Sequence, residues 1–188
     1  MKKLVSSLVV LASLLIGCQA NQQSVSDSSS TQSAESSVTK SYPKMRDVIL
    51  KTPTGERVLL SDFQGKNIYI NIWATWCGPC KYEIPEIEEV YQEYKDNEDY
   101  VFLSVTSPTD SQFKNNNAYD VEAAEIVTYA EEIGMTYPIL FDYQDQFTQT
   151  YVIRSFPSHI FINREGEIVG QYTGAISQEI LRQELDKL

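Results

Sequence analysis

Ile68-Tyr69-Ile70-Asn71-Ile72-Trp73, followed closely by Trp76-Cys77-Gly78-Pro79-Cys80-Lys81, is the stretch that decides the fold. The run from Ile68 to Trp73 is nearly continuous in apolar side chains, as in a strand covered on both faces. From Lys81 to about Tyr94 the pattern turns helical, with Ile84, Ile87, Tyr91 and Tyr94 on one side and Glu86, Glu88, Glu89 and Glu93 elsewhere. Pro85 lies inside this pattern and predicts a kink. A strand, then C-x-x-C, then a helix is the layout of a dithiol–disulfide site.

The chemistry follows from helix electrostatics. The thiolate is the nucleophile, and unpaired N–H groups at a helix start stabilise it. Lowering the Cys77 pKa from about 8.5 to about 7 raises its thiolate fraction at neutral pH from roughly 3% to roughly half. Cys80, one turn on, is then placed to resolve a mixed disulfide by attacking Cys77. Pro79 suits a first helical turn because no intrahelical bond is lost there. A zinc site is the first alternative, but zinc takes about four ligands and only Cys18 and His159 remain to join the pair. An inert structural disulfide is the second, and it leaves Trp76 and Pro79 without purpose.

The chain opens with Met1-Lys2-Lys3, an apolar run from Leu4 to Ile16, and Gly17-Cys18. This is the pattern of a secretory signal over residues 1–17, too short for a comfortable span of about 20 residues. Leu15-Ile16-Gly17-Cys18 resembles a bacterial lipobox, which makes Cys18 the lipidated first residue of the mature protein; an ordinary cleaved signal is the alternative. Two or more acyl chains anchor stably where one does not. Cys77 and Cys80 are then the only other cysteines, placed outside the cytosol where disulfides persist. Residues 18–41 are Ser/Gln-rich and bury too little to fold, reading as a tether with a reach of roughly 25–30 Å. Residues 42–188 are the size of one domain, expected as a monomer.

Net charge is −11, and removing Lys2 and Lys3 leaves 26 acidic against 13 basic residues, or −13. That excludes nucleic acid as a partner, and electrostatic binding to anionic lipid with it.

Along the domain, Asp47–Leu50 and Arg57–Leu60 flank the turn signal Pro53-Thr54-Gly55, predicting a hairpin. Tyr100–Thr106 reads as a strand, with a polar loop to about Tyr119. A helix follows from about Val121 to Ile133, with Ala123, Val127 and Ala130 inward, then a short strand, Tyr137–Phe141. Gln144 to about Tyr151 reads as a short helix. A second hairpin comprises Ser158–Ile162 and Glu167–Tyr172, and a closing helix starts at the N-cap Ser177 with Leu181, Leu185 and Leu188 inward. This order predicts an α/β fold around a mixed sheet.

Together with Phe156-Pro157-Ser158, the strand and the Trp-Cys-Gly-Pro-Cys-Lys run resemble the thioredoxin superfamily. The resemblance implies a central mixed sheet flanked by helices and a cis Phe156–Pro157 bond facing the disulfide. It also implies a client groove at Trp76, Phe156 and Pro157, the last two offering backbone to an extended peptide. The hairpin, the signal and a helix–strand inserted between Cys80 and Pro157 are similar to the extracytoplasmic, membrane-anchored branch typified by TlpA and ResA. Cytosolic thioredoxins carry a buried aspartate where this chain has Asn71. The TlpA-like branch instead has a glutamate three residues after the second cysteine, here Glu83. The resemblance therefore gives Glu83 the task of moving protons on and off Cys80, against a merely solvated acid at a helix start. The branch usually has glycine where this chain has Ser155. His159 is expected to be structural or solvent-exposed rather than catalytic.

The implied activity is reduction of disulfides in exported or surface proteins, without a cofactor. Clients would include an oxidised methionine sulfoxide reductase or apocytochrome c, and the electron donor a membrane thiol carrier of the CcdA or DsbD type. The Gly-Pro pair between the cysteines is that of thioredoxin, near −270 mV, whereas a strong oxidant sits near −120 mV. The rivals are a disulfide-donating oxidase or isomerase, a thiol peroxidase, and a lipid-anchored module that binds clients without chemistry.

Overall fold

A computed structural model describes residues 41–188. The expected signal, Cys18 and all of the tether but its last residue lie outside the described residues.

The elements in order are β1 (Ile49–Lys51), β2 (Arg57–Leu59), β3 (Asn67–Ile72), α1 (Gly78–Tyr94), β4 (Tyr100–Thr106) and α2 (Ala123–Glu132). Then come β5 (Ile139–Asp142), α3 (Gln146–Thr150), β6 (Ser158–Ile162), β7 (Ile168–Thr173) and α4 (Gln178–Leu185). Seven strands form one sheet in the order β2-β1-β5-β4-β3-β6-β7. β3 runs parallel to β4 and β4 to β5, while the hairpins β1–β2 and β6–β7 join antiparallel on either side. This is the mixed α/β sheet that the sequence predicts, with α2 and β5 as the inserted helix and strand.

Period-two alternation along β3 sorts its side chains between two cores. Ile68, Ile70 and Ile72 join Leu50, Leu60, Leu103, Val105 and Phe147 on one face. Tyr69 and Trp73 join Cys80, Ile84, Ile87, Val90, Leu181 and Leu185 on the other. In the β3–β6 register Asn71 pairs with His159 and Tyr69 with Phe161. Asn71 and His159 therefore lie on the face that α1 covers.

Strand ends shift by one or two residues from expectation, and three element starts move for a local reason. α1 begins at Gly78 rather than Lys81, because Cys77 itself caps it. β5 begins after Pro138, which has no N–H to give a ladder. α3 begins only at Gln146, because Gln144 and Asp145 hold left-handed backbone with φ of 58° and 56°. α1 runs unbroken through Pro85, which sits on its exposed side together with Lys81, the residue whose carbonyl loses its partner. In α2 the central buried residue is Ile126, with Val127 only half-buried.

Candidate active site

Strand β3 delivers the chain to Trp73, and Ala74–Trp76 turn it into α1. A buried carboxylate holds that turn. Asp120 accepts the Thr75 N–H at 3.0 Å, the Thr75 and Thr106 hydroxyls, and its neighbour Val121 N–H at 2.9 Å. Cys77 then stands at the N-cap, and its Sγ accepts the Cys80 N–H at 3.3 Å. The sulfur thus occupies the place where an N-cap oxygen ordinarily takes up an orphan donor.

Cys77 and Cys80 form a disulfide, with Cα atoms 5.3 Å apart. Cys77 is 3% exposed and Cys80 0%. Only Cys77 presents an edge to solvent, so the two sulfurs differ in access.

The Phe156–Pro157 bond is cis. It leads into β6, and the pairing of Ser158 with Ile72 sets it beside the Trp73 end of β3. Ser155 is not among the residues with positive φ, so the position needs no glycine. The Trp76 ring is 60% exposed, meets Phe156 edge-on at 5.7 Å, and its indole N–H donates to the Tyr119 carbonyl. Phe156 also lies 4.4 Å from the Tyr119 ring. Trp76, Phe156 and Pro157 are thereby brought together, with Tyr119 added to the aromatic wall.

Behind the disulfide lies a buried polar cluster. Glu83 is 3% exposed, which removes the reading of a solvated acid. Its Oε1 accepts the Ile176 N–H at 2.8 Å and lies 3.1 Å from His159 Nε2; its Oε2 is buried without a partner. His159 is fully buried, so its solvent-exposed alternative is excluded. Its Nδ1 meets the Tyr69 hydroxyl at 2.9 Å and its Nε2 the Gly174 carbonyl at 3.2 Å. Asn71 sits beside this group and accepts the Tyr137 hydroxyl at 3.3 Å. Burial, and after it the Glu83 charge, pushes the Tyr69 and Tyr137 phenols well above their ordinary pKa of 10.0, so both stay protonated.

The segment after β7 ties these parts together. Gly174 donates its N–H to the Pro157 carbonyl at 2.8 Å, and two residues on Ile176 donates to Glu83. A groove of about 620 Å³ opens beside Gly78 and Pro79, lined also by Tyr82, Glu83 and Ile176. Glu83 borders this groove while its side chain stays sealed from solvent.

Sequence reasoning missed Asp120, Tyr69 and the part played by residues 174–176. Strand parity was the available signal for Tyr69 and His159. Asp120 left none, being one acid in a polar loop.

The Redoxin family model matches residues 38–188. The thiol-disulfide oxidoreductase ResA of Geobacillus kaustophilus (strain HTA426) is 31% identical over 143 residues, 76% of this chain and 74% of that protein. The thioredoxin-like protein YneN of Bacillus subtilis (strain 168) is 31% identical over 140 residues, 74% and 75% of the two chains. The crystal structure of the pneumococcal exposed lipoprotein thioredoxin Etrx1 from Streptococcus pneumoniae strain TIGR4 superposes with a TM-score of 0.63. It is 29% identical and covers 76% of this chain and 100% of that one. With its capped Cys77, its sealed Cys80 and these relatives, the chain belongs to the Redoxin family as a ResA-like thiol–disulfide oxidoreductase of the thioredoxin superfamily.

Proposed function

We propose that the protein works outside the cytosol, anchored through lipid on Cys18, and reduces disulfides of exported or surface proteins. The observation that carries the chemistry is the inequality of the two sulfurs: Cys77 caps α1 with its edge open, and Cys80 is sealed one turn from the buried Glu83. The Cys77 thiolate attacks the client disulfide and one client sulfur leaves. Cys80 gives its proton to Glu83, attacks Cys77 Sγ, and expels the second client sulfur as thiolate. Two electrons pass to the client, and the pair closes as the Cys77–Cys80 disulfide.

Glu83 suits proton transfer by its burial and by its place on the groove beside Pro79. Trp76, Phe156 and Pro157 form the surface that receives the client chain. The Gly-Pro pair between the cysteines favours reduction over disulfide donation. The signal, the lipobox and the likeness to an exposed pneumococcal lipoprotein support the address. A membrane thiol carrier of the CcdA or DsbD type would restore the dithiol, and a methionine sulfoxide reductase or apocytochrome c would serve as client.

Cys80→Ser tests this reading. Expressed in cells, it is expected to hold the client as a covalent Cys77 adduct that releases with reductant, and mass spectrometry then names the partner. Absence of any adduct, or a reduction potential above about −150 mV, would overturn reduction as the direction.

A further inference from the structure

We propose that His159 is a positioning residue for Cys80: it occupies one oxygen of Glu83 so that the other, Oε2, receives the Cys80 proton. The proposal rests on the reading of Glu83 as the base for Cys80.

The two oxygens of Glu83 are unequal. Oε1 meets both the Ile176 N–H at 2.8 Å and His159 Nε2 at 3.1 Å, while Oε2 is buried with no hydrogen-bond partner. A carboxylate oxygen that accepts one N–H and has a second N–H group close beside it holds a proton less readily than one with no partner. Cys80 and Glu83 are one turn apart on α1 and both buried, so the thiol has a base on its own helix face.

The hydrogen-bond network assigns the His159 tautomer. Nε2 faces two oxygens, the Gly174 carbonyl at 3.2 Å and Glu83 Oε1 at 3.1 Å. A carbonyl only accepts, so Nε2 carries a hydrogen. Nδ1 faces the Tyr69 hydroxyl at 2.9 Å. Burial and the Glu83 charge keep that phenol protonated, and it donates to Nδ1. Tyr69 therefore fixes the ring with its Nε2–H on the Gly174 carbonyl and close beside Glu83 Oε1. The other titratable groups facing the pair are Cys80 on α1, Tyr137 ahead of β5, and Tyr172, which pairs with His159 across the β6–β7 ladder. Glu86, also on α1, is engaged by the Gln178 N–H at 3.3 Å.

In the resolving step the Cys80 proton moves to Glu83 Oε2, and the Cys80 thiolate forms the bond to Cys77 Sγ. The bond from Cys77 to the client breaks, and its electron pair leaves with the client sulfur. Glu83 then loses the proton toward the groove. His159 neither gains nor loses a proton in this sequence.

The test is the pH profile of disulfide exchange by the full, reduced chain, with a disulfide-linked model peptide as probe. His159→Leu is expected to slow exchange about tenfold and move the profile to higher pH, as for loss of a polar N–H group beside a buried carboxylate. His159→Gln, which keeps an N–H at the Nε2 position, is expected to recover most of the rate and the profile. In a Glu83→Gln background, His159→Leu should add no further loss. A folded His159→Leu with the parent's rate and profile, or a loss of equal size in both backgrounds, overturns the proposal. If Glu83→Gln alone is slow in that case, the reading of Glu83 stands and only the role of His159 falls. A Glu83→Gln with the parent's rate overturns both. Nitrogen-15 NMR of the parent is independent of how the variants fold. Hydrogen on Nε2 supports the proposal, and hydrogen on Nδ1 alone overturns it.

Discussion

Glu83 Oε1 and His159 Nε2 lie 3.1 Å apart with both side chains sealed from solvent, joining the helix of the two cysteines to the strand of the cis proline. A buried carboxylate with one unpartnered oxygen is costly to fold around, and such groups are retained where chemistry uses them.

Glu83→Gln keeps the acceptor at Oε1 and removes the base. Exchange near neutral pH is expected to fall by about 10²-fold, the lower end of what positioned proton transfer contributes. Stopped-flow measurement with a disulfide peptide checks this, and a rate equal to the parent's would refute the assignment.

Asp120 carries the turn before Cys77. Asp120→Ala strands the Thr75 and Val121 N–H groups and the Thr75 and Thr106 hydroxyls. The expected cost is about 2–4 kcal/mol, read as a drop in Tm, with slower exchange because Cys77 loses its fixed approach. Asp120→Asn, which keeps one acceptor oxygen, should lose less.

These two residues mark the limit of what the sequence disclosed. The C-x-x-C pair, the strand before it and the Phe-Pro step were legible because each is local: a composition, a spacing, a dipeptide. Glu83 was legible through family resemblance and helix spacing. The sequence also showed that His159 lies two residues from Phe161 and so shares its face. Which face that is depends on the pairing of Asn71 with His159 across β3 and β6, a register that no local pattern encodes. Asp120 reaches Thr75 from a distant loop, and the start of α3 turns on left-handed backbone at Gln144 and Asp145. Both are set by tertiary contacts rather than by propensity.

Cys18→Ala tests the address. The variant is expected to leave the detergent phase in phase partitioning and to appear in the medium. Continued partitioning into detergent would contradict lipid attachment at Cys18.

Tyr151 gives a pH signature. Its hydroxyl donates to the Arg46 carbonyl at 2.6 Å and accepts the Arg46 N–H at 3.2 Å, and burial pushes its pKa up to about 12. The folded state therefore holds this proton more tightly than the unfolded chain, whose tyrosines titrate near about 10. Its contribution is fully present below about pH 10 and is lost as pH rises toward 12. Tyr151→Phe should be about 1 kcal/mol less stable at neutral pH, yet show a shallower loss of stability across that alkaline window. Urea melts at a series of pH values test both, and parallel pH profiles for the two proteins would refute the second.

Gly174 joins the cis proline, His159 and the Glu83 loop, and its φ of +92° is one that other residues rarely adopt. A Cβ built there meets nothing within 4 Å, so the cost of Gly174→Ala is backbone strain rather than crowding. About 1–2 kcal/mol is expected for holding a side-chain-bearing residue in that region. For a domain of this size Tm falls by about 2–4 °C per kcal/mol. Any relief of the strain must pass through the Gly174 N–H on Pro157 or its carbonyl on His159. Exchange is therefore expected to slow along with the loss of stability. A variant that melts lower but exchanges at the parent's rate would show that residues 174–176 support the fold without holding the site.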